Sequence, residues 1–155
     1  MVKEYTEKLY IPAAQAYGNF SRDSCGAATQ LSQWKTKIRK DWPQVQISDV
    51  QVVNKDRQSI LVGESLQIKA RVHLGAVDPQ HVRVEAYHGE VDNGDIRNPT
   101  ATVLNQNSQA DGDGNYVYQG NVPATESGTY GFSVRVVPTH PHLMQAHELR
   151  LITWS

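Results

Sequence analysis

The stretch of sequence that decides the fold runs Glu126-Ser127-Gly128-Thr129-Tyr130-Gly131-Phe132-Ser133-Val134-Arg135-Val136. From Tyr130 onward, apolar side chains occupy every second position, which is the period of a strand that has one face on a core and the other in water. Gly128 is a turn residue. We therefore expect a strand that begins near Tyr130 and points Phe132 into the core.

A similar acidic-small-Gly-x-Tyr-x-Cys pattern opens one strand of antibody-type sandwiches, where the Tyr hydroxyl bonds to upstream backbone and the Cys bridges the two sheets. Here Phe132 stands at the position of that Cys. The only cysteine is Cys25, outside the run, so no intrachain disulfide can form and packing alone must hold the core. The pattern predicts an immunoglobulin-like antiparallel β-sandwich for a reducing compartment, with Tyr130 as its corner residue.

The two-residue period recurs along the second part of the chain, between segments rich in Gly, Asp, Asn and Pro. Such segments are typical of turns, for example Asp92-Asn93-Gly94-Asp95. About seven short strands at this spacing predict a mainly β domain of about 100 residues. We place them near residues 47–53, 66–74, 82–86, 100–105, 116–122, 130–136 and 149–154.

The first part of the chain has a helical period instead. Ala27, Leu31, Trp34 and Ile38 recur at steps of four, three and four, which places them on one face of an amphipathic helix. We expect this helix at roughly residues 23–40, and a shorter helical segment at residues 2–10 that ends before Pro12. The sequence thus predicts one or two helices in a segment 1–43, followed by the sandwich at residues 44–155.

The overall charge is close to neutral, with 15 basic and 16 acidic residues and a net charge of -1. Such a chain has no global field to recruit nucleic acid or an anionic membrane. No run of about 18 apolar residues is present, and the first residues lack the apolar core of a signal peptide. We expect no nucleic-acid or membrane partner and a cytoplasmic location.

The stretch from Asp111 to Asn115 resembles a calcium-binding loop, because oxygen ligands stand at alternate positions. However, Tyr116 occupies the sixth position, where an EF-hand needs Gly, and Val122 occupies the twelfth, where it needs Glu. A tight hairpin explains the composition better. We predict no tight calcium site there.

Three histidines, His140, His142 and His147, cluster near the C-terminus. The surrounding Pro138 and Pro141 favour a loop whose conformation is set by proline rather than by a metal, and we assign no metal ligands. The other histidines are expected to be solvated or to lie at sheet edges, namely His73, His81 and His88.

No Ser-His-Asp arrangement, glycine-rich phosphate cradle or paired carboxylates can be recognised. We therefore assign no catalytic or cofactor-binding residue. The sequence of this chain alone does not predict an enzyme. The basic run at residues 35–40 suits the negative end of the helix dipole. Exposed aromatic rings could stack on sugars, as in carbohydrate-binding sandwiches, although alternation suggests that some of them are core. The candidates for contact with a sugar are Tyr87, Tyr116 and Tyr118.

Several segments taken together resemble the C-terminal region of bacterial and archaeal alpha-glucan (glycogen) phosphorylases. Arg150 stands where the pattern of that family leads us to expect Gly. The segments that carry the resemblance cover most of the chain and are Met1-Val2-Lys3-Glu4-Tyr5-Thr6-Glu7-Lys8-Leu9-Tyr10-Ile11-Pro12-Ala13, Leu31-Ser32-Gln33-Trp34-Lys35 with Trp42, residues 72–89, Pro138-Thr139-His140-Pro141-His142-Leu143, Glu148, and Leu151-Ile152-Thr153-Trp154.

The resemblance implies a part of a larger enzyme. The family transfers glucosyl units between alpha-1,4-glucan and orthophosphate, as a glycosyltransferase, with pyridoxal phosphate held on a lysine in a glycine-rich motif. This sequence lacks that motif, so no catalytic residue carries over. The implied role is a non-catalytic accessory domain that docks on the catalytic domain of the parent or on a neighbouring subunit.

Two other roles stay open. The domain could be a carbohydrate-binding module that holds glucan, since a sugar platform and a docking patch both use exposed aromatic rings. A free-standing immunoglobulin-like interaction module is the third reading, disfavoured by the single cysteine and by the lack of an export signal.

Overall fold

The computed structural model describes residues 26–53, 62–107, 113–124, 129–145 and 147–155. Within them, helix α1 (Gly26–Asp41) precedes seven strands, and short 3-10 turns lie at Trp42–Gln44 and Pro79–His81. The predicted mainly β architecture with a helix before the strands is confirmed. The strands are β1 (Gln46–Val52), β2 (Ser65–His73), β3 (Val82–Asp92), β4 (Asp95–Gln106), β5 (Asn115–Pro123), β6 (Tyr130–Pro138) and β7 (Thr153–Trp154).

Some predictions fall outside the described residues. These are the helical segment at residues 2–10, the start of the second helix near Asp23, the surroundings of Cys25, and the first two residues of the hairpin at Asp111.

All strand pairs are antiparallel, and the order in the sheet is β1-β2-β5-β4-β3-β6-β7. Strand β4 links two layers, because it pairs with β3 as far as Leu104 and then with β5 at Asn105 and Gln106. The expected two sheets are thereby joined into one nearly closed sheet. A strand of 12 residues is long enough to do this, since it can leave one neighbour and pair with another.

The core lies between the two layers and is built by the alternation seen in the sequence. Phe132 is partly buried and packs against this core, as expected. Tyr130 opens β6 at the predicted place, and the hydrogen bond of its hydroxyl to upstream backbone stays a prediction. The buried strand residues include Ile68, Ala70, Val72, Val84, Ala86, Leu104, Val134 and Val136.

Helix α1 packs on the same core. Leu31, Trp34 and Ile38 are buried on one helix face and belong to the hydrophobic cluster of the strands. An ion pair between Lys35 and Glu148 ties the exposed side of the helix to the segment before β7. The division of the chain near residue 43 stays a prediction, and across it the hydrophobic core is continuous.

The turn between β3 and β4 has the predicted chemistry. Asp92 pairs with Asp95, and the two residues between them, Asn93 and Gly94, have φ angles of 52° and 89°. Positive φ at both central positions defines the tight hairpin turn that Asn-Gly favours. This turn fixes the β3–β4 register next to the hairpin, and a shift between His88 and Glu90 sets the register that places Glu85 opposite Val103.

Candidate functional site

The outward face of β3, β6 and β7 carries a cluster of charged and aromatic side chains, here called the arginine–aromatic face. Glu85 lies opposite Arg135 across the β3–β6 pair, and Arg135 lies opposite Trp154 across the β6–β7 pair. Cross-strand partners point to the same side of a sheet. The face consists of Arg83, Glu85, Tyr87, Arg135 and Trp154.

Glu85 is the centre of this face. Its carboxylate accepts hydrogen bonds from Nε of Arg83 at 2.6 Å and from Nε of Arg135 at 2.7 Å. The Glu85 side chain is only 4% exposed although it points outward, whereas Arg135 is 12% and Arg83 39% exposed. A carboxylate this deeply buried is stable only when it is paired, so the two arginines hold its charge in place.

Arg135 also contacts both aromatic rings of the face. Its guanidinium carbon lies 4.9 Å from the ring centre of Tyr87 and 5.5 Å from that of Trp154. The two rings meet edge to face at 5.4 Å. These are favourable cation–π and aromatic geometries. Trp154 nevertheless remains 45% exposed, so part of its ring is available for another molecule.

The three candidate tyrosines do not share one surface. Tyr87 lies on the arginine–aromatic face, but Tyr118 is 4% exposed and belongs to the core, and Tyr116 is half-buried against that core. Burial and the neighbouring Tyr116 raise the pKa of Tyr118 to about 12. An exposed, sugar-stacking ring is therefore the wrong expectation for Tyr118. Its alternation with Val122, also buried, was the signal for an inward side chain.

The C-terminal histidines form part of a cluster that covers helix α1. The ring of His140 lies 4.7 Å from Trp34, 5.5 Å from His142 and 6.2 Å from His81. Burial lowers the pKa of His140, and His142 and His81 add to this effect. We name His81, His140 and His142 the histidine cluster. His147 is exposed in the following turn.

Sequence reasoning missed His81 as a member of this cluster and Trp34 as a ring in contact with it, because both are far from His140 in the chain. The proximity of His81 comes from a hydrogen bond of the Thr139 backbone amide to the carbonyl of His81, which holds the end of β6 beside the turn before β3. Within the described ranges, no group of three or more His, Cys, Asp or Glu side chains is placed to hold a metal ion.

His88 is buried, so the expectation that it is solvated or at an edge is wrong. It lies in β3, between β4 and β6, with 5% exposure, and its Nε2 is 2.9 Å from Oγ1 of Thr102. Burial lowers its pKa. The alternation of Val82, Val84 and Ala86 continues to position 88 and was the signal for an inward side chain.

A polar groove of about 510 Å³ opens beside the place where β4 leaves β3 and joins β5. We call it the amide groove, because six of its nine lining residues have carboxamide side chains. None of the nine carries a charge. The lining residues are Gln67, Thr102, Val103, Asn105, Gln106, Asn107, Gln119, Gly120 and Asn121.

Comparison with known proteins establishes the family. Residues 42–155 match the family model described as the glycogen phosphorylase C-terminal domain. The chain belongs to this family. It is 33% identical over 154 residues to the glycogen phosphorylases of Mycobacterium bovis and of Mycobacterium tuberculosis strain H37Rv, and these alignments cover 99% of the chain. It is 30% identical over 159 residues to the maltodextrin phosphorylase of Thermococcus litoralis, with 100% of the chain covered.

The chain spans 18% of the length of each of these relatives. The family match begins at Trp42, just after α1, whereas the alignments with the relatives cover almost the whole chain. The matched part contains the arginine–aromatic face and the amide groove. In the part of the chain that the structure describes, no helix is long and apolar enough to cross a membrane.

Proposed function

We propose that this chain is the non-catalytic C-terminal accessory domain of an alpha-glucan phosphorylase. The observation that carries the proposal is the match to a phosphorylase C-terminal domain together with relatives of which the chain spans 18%. The parent reaction would be phosphorolysis of alpha-1,4-glucan to glucose 1-phosphate, a glycosyltransferase reaction. Its chemistry would take place in the part of the enzyme outside this chain.

The cofactor implied by the family is pyridoxal phosphate, which needs a lysine in an enclosed site. The described lysines do not fit this need. Lys37, Lys40 and Lys69 are exposed, and the ammonium of Lys35 is paired with Glu148. We therefore assign these lysines no role in the reaction, and we propose that the catalytic body binds the cofactor.

The arginine–aromatic face suits docking on that catalytic body or on a neighbouring subunit. Arginine, tyrosine and tryptophan are the side chains enriched at the centre of protein interfaces. Here they are already ordered by their contacts with Glu85 and with each other, so docking would cost little side-chain entropy. The exposed part of Trp154 and the exposed Val103 of β4 add apolar area to the same face.

Two finer assignments belong to the same proposal. We interpret the sheet as immunoglobulin-like, because β1, β2 and β5 pair in one layer and β3, β6 and β7 in the other, as in sandwiches of that class. We place the protein in the cytoplasm, since its single cysteine leaves the core without a disulfide. If the reading frame does not continue into a phosphorylase, the alternative hypothesis of a free-standing interaction module is favoured.

The proposal can be tested at two levels. The reading frame should continue upstream into a phosphorylase, and the pure chain should neither bind pyridoxal phosphate nor release glucose 1-phosphate from glucan and phosphate. Phosphorolysis by the pure chain would overturn the accessory role. A reading frame that begins at Met1 would overturn the parent assignment.

Docking can be tested in the longer protein. Trp154→Ala should make the longer protein more susceptible to limited proteolysis, because it removes apolar area from the interface. Val62→Ala is the matched control, since Val62 is 57% exposed in the turn before β2, outside the face. Equal cleavage of both variants and the parent would contradict docking through this face.

A further inference from the structure

We propose that the amide groove binds a neutral polyhydroxyl chain, and that this chain is an alpha-1,4-linked glucan. The choice of glucan rests on the proposed function, whereas the choice of a neutral polyhydroxyl ligand rests on the groove itself. The site is separate from the aromatic contacts considered from the sequence. Tyr87 and Tyr116 do not line it, and Tyr118 is buried.

The chemistry of the lining selects the ligand class. Each carboxamide offers two donor hydrogens and an acceptor oxygen, so a row of them can both donate to and accept from hydroxyl groups. Thr102 also lines the groove, but its hydroxyl is already hydrogen-bonded to Nε2 of His88. The absence of a basic side chain among the nine lining residues disfavours phosphates and nucleic acids, which need positive charge. Sugar hydroxyls need donors and acceptors but no charge.

The shape of the groove follows from the strand exchange of β4. Strands β4 and β5 pair at Asn105–Gln119 and Gln106–Tyr118, and the backbone amide of Asn107 donates to the carbonyl oxygen of Val117. At Gly120 the two strands stay close although they are no longer paired. A β-carbon at Gly120 would lie 2.8 Å from Cδ2 of Leu104 and 3.2 Å from the carbonyl oxygen of Val103. Glycine therefore lets the two strands approach at the floor of the groove.

The walls are held by the sheet rather than by a free loop. Gln119 and Asn121 point outward from β5, and Gln67 lies opposite Asn121 on β2. Nδ2 of Asn107 donates to Oε1 of Gln119 at 2.9 Å. The Gln119 amide nitrogen and the Asn107 side-chain oxygen take no part in this bond. A wall with fixed side chains binds a ligand with a smaller entropy cost.

Val103 gives the groove an apolar side. It is 47% exposed and lies opposite Glu85, so the groove borders the arginine–aromatic face. A pyranose ring has an apolar C–H surface as well as hydroxyl groups, and Val103 can contact it. The volume of about 510 Å³ lies within the range of about 300 to 1,000 Å³ that is usual for ligand sites. Without an aromatic platform, we expect affinity in the millimolar range.

The experiment is a titration of the 155-residue chain with maltoheptaose, followed by NMR of backbone and side-chain amides. We expect saturable shifts at Asn105, Gln119 and Asn121, and about tenfold weaker binding in the double variant Gln119→Ala/Asn121→Ala. Gln51→Ala is the matched control, because Gln51 is an exposed glutamine on β1 of the same layer and outside the groove. It should bind like the parent chain.

Cellohexaose, a beta-1,4-linked chain, separates the two parts of the proposal. Binding of maltoheptaose alone supports both parts. Equal binding of the two sugars supports a polyhydroxyl site but overturns the assignment to alpha-glucan, which comes from the proposed function. No shifts with either sugar, or shifts that the double variant leaves unchanged, would overturn the groove as the site. This result would not affect the docking proposal or the parent assignment, which are tested by proteolysis and by the reading frame.

Discussion

The two outward faces of this domain differ in how they use polar side chains. On the arginine–aromatic face, a buried carboxylate, two arginines and two rings contact one another, and Glu85 is almost removed from water. On the outward face of β1, β2 and β5, the polar side chains make exposed hydrogen bonds, for example from Asn107 to Gln119 and from Gln51 to Asp49. The same strand period thus produces one face with a buried charged network and another face whose polar contacts are exposed to water.

The largest expected effect breaks the closed network of the first face. Arg135→Ala should lower the free energy of unfolding by about 3 kcal/mol, because it leaves the buried carboxylate of Glu85 with Arg83 alone. Arg71→Ala, on the other face, should change it by less than about 0.5 kcal/mol. Chemical denaturation measures both. Equal losses would mean that the two faces do not differ in this way.

Acid should also lower the stability of the domain, through two of its histidines. Burial holds the pKa of His88 and His140 below the usual value of 6.5 in the folded state. The unfolded chain therefore binds more protons below about pH 6.5, so stability should be full above that pH and decrease as the pH falls. Denaturation midpoints measured across this range check the sign.

Variants then locate the source of the acid sensitivity. His88→Gln and His140→Gln should each make the midpoint less dependent on pH. A pH dependence that survives in the double variant of His88 and His140 would contradict this origin.

A smaller effect is expected at the loop that leads into β7. Arg150 has a φ of 56°, in the left-handed region that favours glycine. Arg150→Gly should raise the free energy of unfolding by about 1 kcal/mol, because a non-glycine residue is strained there. Asn93→Gly is the control, since asparagine tolerates its φ of 52° and little change is expected. Destabilisation by Arg150→Gly in thermal unfolding would refute the strain.

The smallest expected effect is on the amide groove. Gln119→Ala should change the free energy of unfolding by less than about 0.5 kcal/mol, because its hydrogen bond to Asn107 is exposed. The same change should weaken glucan binding. A loss of stability as large as that of Arg135→Ala would show that the groove, too, is part of the folding network.

The elements were predictable because their signals are local. The two-residue period predicted the core side chains of β2 and β6, the helical period predicted the buried face of α1, and Asn93-Gly94 predicted the tight hairpin. Even the departure from the family pattern at Arg150 corresponds to a backbone angle that favours glycine.

The candidate site was less predictable. Alternation says whether a side chain faces inward or outward along its own strand, and followed strictly it would have placed His88 and Tyr118 in the core. It does not say which strands are neighbours. The sequence therefore pointed to Tyr87 as an outward ring but not to its contact with Arg135, 48 residues later.

By itself the sequence determined the family, the strands and helix, and the inward and outward faces, because each of these depends on residues that are close in the chain or on their order. The tertiary structure alone decided that Glu85 joins two arginines, that His81 meets His140, and that carboxamides of β2, β4 and β5 line one groove. Those arrangements depend on the order and register of strands. Pairing between distant segments sets both.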